Sequence, residues 1–472
     1  MSHLVSIDAA ALAAGQAAGD FAASSAAARA RLLRALAEAL EAERESLVPL
    51  ADQETGLGLP RLNGELDRTA FQLRGFATEL ERGAAHRVED DPAVAGAPPA
   101  GRPRLTRVRV PLGPVAMFAA SNFPFAFSVL GGDTASALAA GCPVVVKAHP
   151  GHPMLSRKTA QIAHRVIEQQ GWTEGVFQFV DGASVETGVR LVQAPAIAAV
   201  AFTGSFRGGT ALADVASRRP RPIPFFGELG SINPVIVLPA MLQRGVEAPA
   251  AALAQSICQG SGQFCTSPGV IVVPVGDDGD AFVSALSKAL STQSPHGMLT
   301  EGIRSAFDRG VSAWAESPAV RGLLAPARRD AVAPGPFLGE VAARDFIADA
   351  SLHEEAFGPG ALVVRVASNN QAIEVLQAIG GSLTVTLWGA EGENEEARAL
   401  VRAASQIAGR VLFAGVPTGV AVTGAQQHGG PYPASTQPWS TSVGYAAMDR
   451  FLRPVALQDA PAWLLERQGV PC

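Results

Sequence analysis

Two kinds of apolar pattern divide the chain. Over residues 1–85, Leu and Ala form stripes with Arg and Glu on the opposite face, and this spacing predicts helices, most regularly over 24–54. Ala23-Ser24-Ser25 offers an N-cap, and 56–60 supplies a stop. Beyond residue 110 the pattern changes to short continuous apolar runs at 115–119, 143–147, 177–180, 198–202, 235–238, 270–273, 361–366 and 383–388. Their length and continuity predict strands buried on both faces. Helical periodicity fills the intervals at 128–140, 155–170, 186–193, 208–217, 248–259, 280–291 and 370–379, with Gly141 and Gly171 as stops. Strand and helix alternate, so the expected fold class is α/β, with parallel sheets joined by right-handed crossovers. Ligands bind at the carboxyl ends of such strands, where Asn122, Lys147 and Gly204 fall.

Three stretches interrupt this rhythm. Residues 91–104 are rich in Pro, Ala and Gly and mark a boundary. Residues 105–110 alternate apolar and polar, as a half-exposed strand does. Residues 415–442 are rich in Gly and Pro and predict a long functional loop between short strands at 410–413 and 451–457.

At 472 residues, 48% of them hydrophobic and 17% charged, the chain is globular and long enough for two or three domains. Lys and Arg number 37 against 43 Asp and Glu, a net charge of −6 that argues against a nucleic-acid partner. Neither a signal pattern nor an uninterrupted span of membrane length occurs, so no membrane partner is expected. Cys142, Cys258, Cys265 and Cys472 are too few and too scattered for a disulfide framework, and no metal-ligand spacing is present. A reducing cytoplasm is the expected compartment.

Cys265 lies on a Gly-rich turn, Gly262-Gln263-Phe264-Cys265-Thr266-Ser267-Pro268-Gly269, just before the 270–273 strand. A thiol held on such a turn suits a nucleophile, although a single Cys also reads as a small buried apolar residue. Glu228 stands alone among apolar and Gly neighbours, which should raise its pKa toward that of a general base; the alternative is a solvated loop acid. Asn122, among aromatics and a proline, is either an oxyanion donor or a turn residue. Ser205 opens the 208–217 helix as a phosphate seat or a plain N-cap, and no GxGxxG accompanies it. Thiol, acid and amide together suit thiol-mediated aldehyde oxidation.

The motifs Ser121-Asn122-Phe123-Pro124, Val144-Val145-Val146-Lys147, Phe202-Thr203-Gly204-Ser205, Glu228-Leu229-Gly230, Gly262-Gln263-Phe264-Cys265 and Glu355-Ala356-Phe357-Gly358-Pro359 occur in the order of the aldehyde dehydrogenase superfamily, which the chain resembles over residues 118–359. Lys147-Ala148-His149-Pro150, the segment 228–234 and His428-Gly429-Gly430-Pro431-Tyr432-Pro433 resemble more narrowly the α-ketoglutaric semialdehyde (2,5-dioxopentanoate) dehydrogenase branch, close to an NADP-preferring fatty aldehyde dehydrogenase. The resemblance implies a Rossmann-like cofactor domain over 1–92 and 113–229, a catalytic domain over 230–415, an oligomerisation arm over 93–112 and 446–472, and a funnel loop over 416–445. It implies Cys265 as nucleophile, Asn122 with the Cys265 N–H as oxyanion donors, and Glu228 as the base that releases the acid. Lys147, His149, Gly204, Ser205, Leu229, Gly230, Glu355, Phe357 and His428 become cofactor neighbours, with Glu355 on the nicotinamide ribose and Lys147 on the adenosine ribose. A small-molecule aldehyde substrate and a homodimer or homotetramer follow, as does pairing of the 451–457 strand with another subunit.

Many NAD-using relatives place a glutamate three residues after the lysine, where this chain has Pro150. Losing that carboxylate removes repulsion of a 2′-phosphate, so NADP is the expected cofactor, with NAD also accepted. An acylating relative would have no use for Glu228, and a non-catalytic one would be free to lose Cys265.

Overall fold

A computed structural model describes residues 6–84, 87–325 and 333–467; Cys472 and the end of the 446–472 arm lie outside them. The strands of the first half are β1 (Glu89–Asp91), β2 (Leu105–Pro111), β3 (Val115–Phe118), β4 (Val144–Lys147), β5 (Phe177–Val180), β6 (Ala199–Thr203) and β7 (Phe225–Glu228). The second half adds β8 (Val235–Val237), β9 (Val270–Pro274), β10 (Arg321–Leu324), β11 (Phe337–Ala342), β12 (Gly360–Val366), β13 (Ser382–Trp388), β14 (Ala408–Leu412) and β15 (Leu452–Gln458).

Among the described residues, two of the three sheets are built on parallel strands. One is the five-stranded β5-β4-β3-β6-β7. The other is the seven-stranded β10-β11-β12-β9-β8-β13-β14, in which only β10 runs antiparallel to its neighbour. Alternate residues along one strand enter different cores. Val115 and Met117 of β3 face one apolar cluster, Ala116 and Phe118 the other. Val270 and Val272 of β9 likewise oppose Ile271 and Val273. Both faces are covered, which is why these strands read as continuous apolar runs.

Helices α1 (Ile7–Ala22), α2 (Ala26–Ala42), α3 (Arg44–Thr55) and α4 (Leu59–Glu81) precede the first sheet. The helix expected over 24–54 is broken at Glu43, whose backbone leaves helical geometry and whose carbonyl and carboxylate both accept from Ser46 Oγ. Between its strands lie α5 (Gly132–Ala140), α6 (Pro153–Gln169), α7 (Val185–Gln193) and α8 (Phe206–Ser217). The helix expected from 128 begins only at Gly132, because Glu65 of α4 accepts the N–H groups of Phe125 and Ala126 and bends the chain into turns there. Ser205 caps α8, its Oγ accepting from Gly208 N at 3.2 Å.

The third sheet is antiparallel, β1-β2-β15. β15 pairs along its length with β2 of its own chain, from Leu452 opposite Pro111 to Gln458 opposite Leu105, and is an edge strand of this sheet. Helix Glu301–Glu316, helix Glu395–Ile407 and strands β10 and β11 were not anticipated. No helix among the described residues is long and apolar enough to cross a membrane.

Candidate active site

The order of the five-stranded sheet reverses direction between β3 and β6, so a crevice opens at their carboxyl ends. Phe118 lies opposite Lys147 and Phe202, and Thr203 opposite Glu228, which sets these four strand ends along one edge. Chain 229–234 crosses from this edge to β8 of the larger sheet. Gly204 N donates to Glu228 O, and Leu229 N to Ala434 O, so both strand end and crossing segment are held by backbone bonds.

Glu228 is 4% exposed at the end of β7. Its Oε2 accepts from Ser442 Oγ, and its Oε1 lies 3.1 Å from Nε2 of His428, itself 1% exposed. The same Nε2 lies 3.4 Å from Cys265 Sγ. His428 is fixed through its N–H to Thr441 Oγ1 at 2.8 Å, and Ser442 N returns to His428 O at 2.8 Å. The ligand-type atoms of Glu228, Cys265 and His428 all lie within 4.8 Å of one another, a cluster invisible in the sequence spacing. One ring nitrogen serves both neighbours, so the arrangement reads as a proton-sharing group.

The electrostatics correct one expectation. Burial alone raises the Glu228 carboxyl, as its apolar neighbours suggested, but His428 and Ser442 outweigh burial and bring it below its ordinary value. Burial, and then the Glu228 charge, push the Cys265 thiol well above its usual value. Cys265 is half-buried. In this arrangement the thiol holds its proton at neutral pH.

The turn that carries Cys265 is clamped from three sides. Gly262 has φ of 68°, and a Cβ there would collide with the Gly358 carbonyl. Asn233, at φ 52°, donates Nδ2 to Cys265 O at 2.8 Å and Ser267 O at 3.0 Å, while its Oδ1 accepts from Thr384 N and Oγ1 of β13. Asn122, 9% exposed, donates Nδ2 to Gln263 O at 3.1 Å and keeps a second N–H for another acceptor. Arg61 Nη2 donates to Asn122 O at 2.6 Å.

Glu355 and Phe357 line one pocket with Ser231, Gly262 and Ser267, and a Cβ on Gly230 would come 2.6 Å from Glu355 Oε2. Burial lifts the Glu355 carboxyl to about 7, opposed by the Ser231 N–H and helped by the Glu228 charge. Lys147 is half-buried at the end of β4, and burial lowers its pKa. His149 is driven down to about 3, by burial first and then by His152 and Lys147, so it is neutral. Its Nδ1 accepts from Gly151 N at 3.0 Å, which leaves Nε2–H as a neutral donor. His152 is a structural clip, bonded to Ser156 Oγ and Ala120 O at 3.0 Å each.

These residues fit an anionic dinucleotide. Thr203 Oγ1 is buried without a partner at the crevice, Lys147 supplies a cation, and the capped N-terminus of α8 adjoins Gly204. Leu229 packs on Gly209 of α8, where a Cβ would strike it.

Sequence reasoning missed Asn233, Ser442 and Thr441, and took α4 for plain scaffold. A helical signal was available: Arg61, Glu65, Arg68 and Gln72 repeat at the spacing of a single helix face.

The Aldehyde dehydrogenase family profile matches residues 3–303. The chain is 44% identical over 439 residues to α-ketoglutaric semialdehyde dehydrogenase 2 of Azospirillum brasilense, covering 93% of this chain and 83% of that one. It is 39% identical over 464 residues to the α-ketoglutaric semialdehyde dehydrogenase of Acinetobacter baylyi, covering 98% and 88%. Among solved structures, aldehyde dehydrogenase 21 of Physcomitrella patens, in complex with the reaction product succinate, superposes with a TM-score of 0.80 at 21% identity, covering 97% of this chain and 91% of that one.

Proposed function

The chain belongs to the aldehyde dehydrogenase family, and from that premise we propose that it oxidises 2,5-dioxopentanoate to 2-oxoglutarate, with NADP⁺ preferred over NAD⁺, through a thioester on Cys265. The observation that carries the chemistry is the contact of Cys265, His428 and Glu228 through one imidazole nitrogen. Support for the substrate comes from the two α-ketoglutaric semialdehyde dehydrogenases at 44% and 39% identity.

Cys265 gives up its proton into the His428–Glu228 pair, and the thiolate adds to the aldehyde carbon. The second N–H of Asn122 steadies the oxyanion of the thiohemiacetal. Lys147, His149 and Ser205 would hold the adenosine and phosphate end of the dinucleotide and Glu355 and Phe357 its nicotinamide end, which when bound would supply the hydride acceptor for the change from thiohemiacetal to thioester. Glu228 then takes a proton from water as it attacks the thioester carbon, and Cys265 leaves with the acid released.

Preference for NADP rests on the turn after β4. Pro150 is exposed there beside Lys147 and His149, and no carboxylate occupies its position to repel a 2′-phosphate. Pro150→Glu should shift the ratio of kcat/KM toward NAD⁺ by roughly tenfold. The enzyme works in the cytoplasm as a homo-oligomer, assembled through the β1-β2-β15 arm.

The test is a panel of aldehydes with each cofactor. The highest kcat/KM should belong to 2,5-dioxopentanoate with NADP⁺. A higher value for a long aliphatic aldehyde would overturn the substrate, and a strong NAD⁺ preference would overturn the cofactor reading.

A further inference from the structure

Helix α4 carries Arg61, Glu65, Arg68 and Gln72 at steps of four, three and four residues, which line up on one face. That face looks onto the Asn122 turn and the 413–444 segment rather than onto solvent. Glu65 Oε1 accepts from Phe125 N at 2.8 Å and Ala126 N at 3.1 Å. Arg61 is bonded to Asn122 O and lies over the rings of Phe123 and Phe264.

Arg68 is differently placed. Its Nη1 donates to Val420 O at 2.8 Å, and its guanidinium carbon lies 5.7 Å from the centre of the Phe127 ring. Nε and Nη2 are both buried and have no hydrogen-bond partner. Leaving charged donors buried and unpaired costs more than leaving neutral ones, so such a pair points to a ligand that completes it.

These two atoms form one edge of the guanidinium, the edge that accepts a carboxylate side-on. This chain uses it elsewhere. Arg104 holds Asp90 by Nε at 3.1 Å and Nη2 at 2.9 Å, and Arg190 holds Asp8 with the same two atoms.

The surroundings suit an anion bound close to the reacting carbon. Phe123, Phe127, Val420, Val422 and Val443 form an apolar cluster at this place, which strengthens an ion pair. Arg68 stands near enough to Cys265 for its positive charge to oppose the rise of the thiol's pKa. Arg410 is a second cation coupled to Cys265, but its Nη1 and Nη2 are committed to Gly419 O and Pro417 O.

We infer that the Nε and Nη2 edge of Arg68 binds the carboxylate at the far end of the substrate, making Arg68 the residue that selects oxo acids over uncharged aldehydes. This rests on the substrate reading above only in requiring that the aldehyde carry a carboxylate.

The test compares 5-oxopentanoate with pentanal, equal in chain length and differing in charge. In Arg68→Met the ratio of kcat/KM for 5-oxopentanoate over pentanal should fall by about 100-fold, mostly through KM. Using a ratio cancels any loss of thiol activation common to both substrates. Arg68→Lys, which keeps the charge and loses the side-on edge, should fall between. An unchanged ratio in Arg68→Met, or a wild-type ratio in Arg68→Lys, would overturn the inference. If the methionine variant does not fold, the lysine variant decides alone. Wild-type turnover of 2,5-dioxopentanoate, measured alongside, separates the two readings. Rapid turnover with an Arg68-independent ratio sinks only the inference, whereas an Arg68-dependent ratio without that turnover sinks only the substrate assignment.

Discussion

At neutral pH the Cys265 thiol keeps its proton, because burial and the nearby Glu228 carboxylate both oppose a thiolate. Glu228→Gln removes one of those two causes. The thiol pKa should then fall, and alkylation by iodoacetamide at pH 8 should become faster by roughly tenfold. The same variant should accumulate acyl-enzyme, giving a burst of NADPH near one per site followed by slow turnover. Slower alkylation together with a normal steady state would remove Glu228 from both roles. His428 touches both groups, so His428→Gln should change the pH profile of alkylation; an unchanged profile and unchanged cofactor KM would make it a packing residue.

Elements matter here as holders of turns. Asn233 ties the Cys265 turn to β13 through both ends of its amide, and its truncation leaves the carbonyls of Cys265 and Ser267 without that donor. Asn233→Ala should destabilise the protein by about 3 kcal/mol in urea unfolding and lower kcat, since the thiol loses its fixed position. Full stability with wild-type kcat would show the clamp to be redundant. Helix α4 makes a second prediction through Glu65, whose carboxyl burial lifts to about 7 despite Arg61 and two backbone N–H groups. Its folded-state pKa lies above the unfolded value, so the folded protein holds a proton that the unfolded chain releases. Stability should therefore fall as pH rises from about 4.5 to about 7. Glu65→Gln should flatten that fall in Tm; an equally steep fall would assign it to other groups.

Over the whole molecule, the chain beyond β14 returns to the first sheet. The 413–444 segment leaves β14 in the larger sheet and reaches Tyr445–Phe451 beside α5. There Arg450 Nη2 donates to Asp133 Oδ1 at 2.6 Å, with both side chains buried. His428 and Ser442 are carried on this segment, so the ion pair anchors the part of the candidate site that they form. Removing one partner leaves a buried charge uncompensated, and Arg450→Met should cost about 3–5 kcal/mol and lower the rate at saturating substrate. A Tm close to wild type would show that β15 pairing alone holds the segment.

The chain's own pattern determined most of the parallel strands and the helices between them, because both faces of each such strand are covered and the apolar run is complete within four to six residues. It also singled out Cys265, Glu228 and Asn122 as candidates, since an isolated reactive residue in a Gly-flanked turn, or among aromatics and a proline, stands out locally. What it could not carry was distance. His428 meets Cys265 across 163 positions and Glu228 across 200, and no local period encodes such a contact. For that reason the sign of the Glu228 shift came out reversed: apolar neighbours in sequence argued for a raised pKa, while partners brought in by the fold lowered it. The polar stripe of α4 was visible as spacing, yet only the packing of that helix against the 413–444 segment decided that its charges face inward, where an unpaired donor is costly enough to imply a ligand.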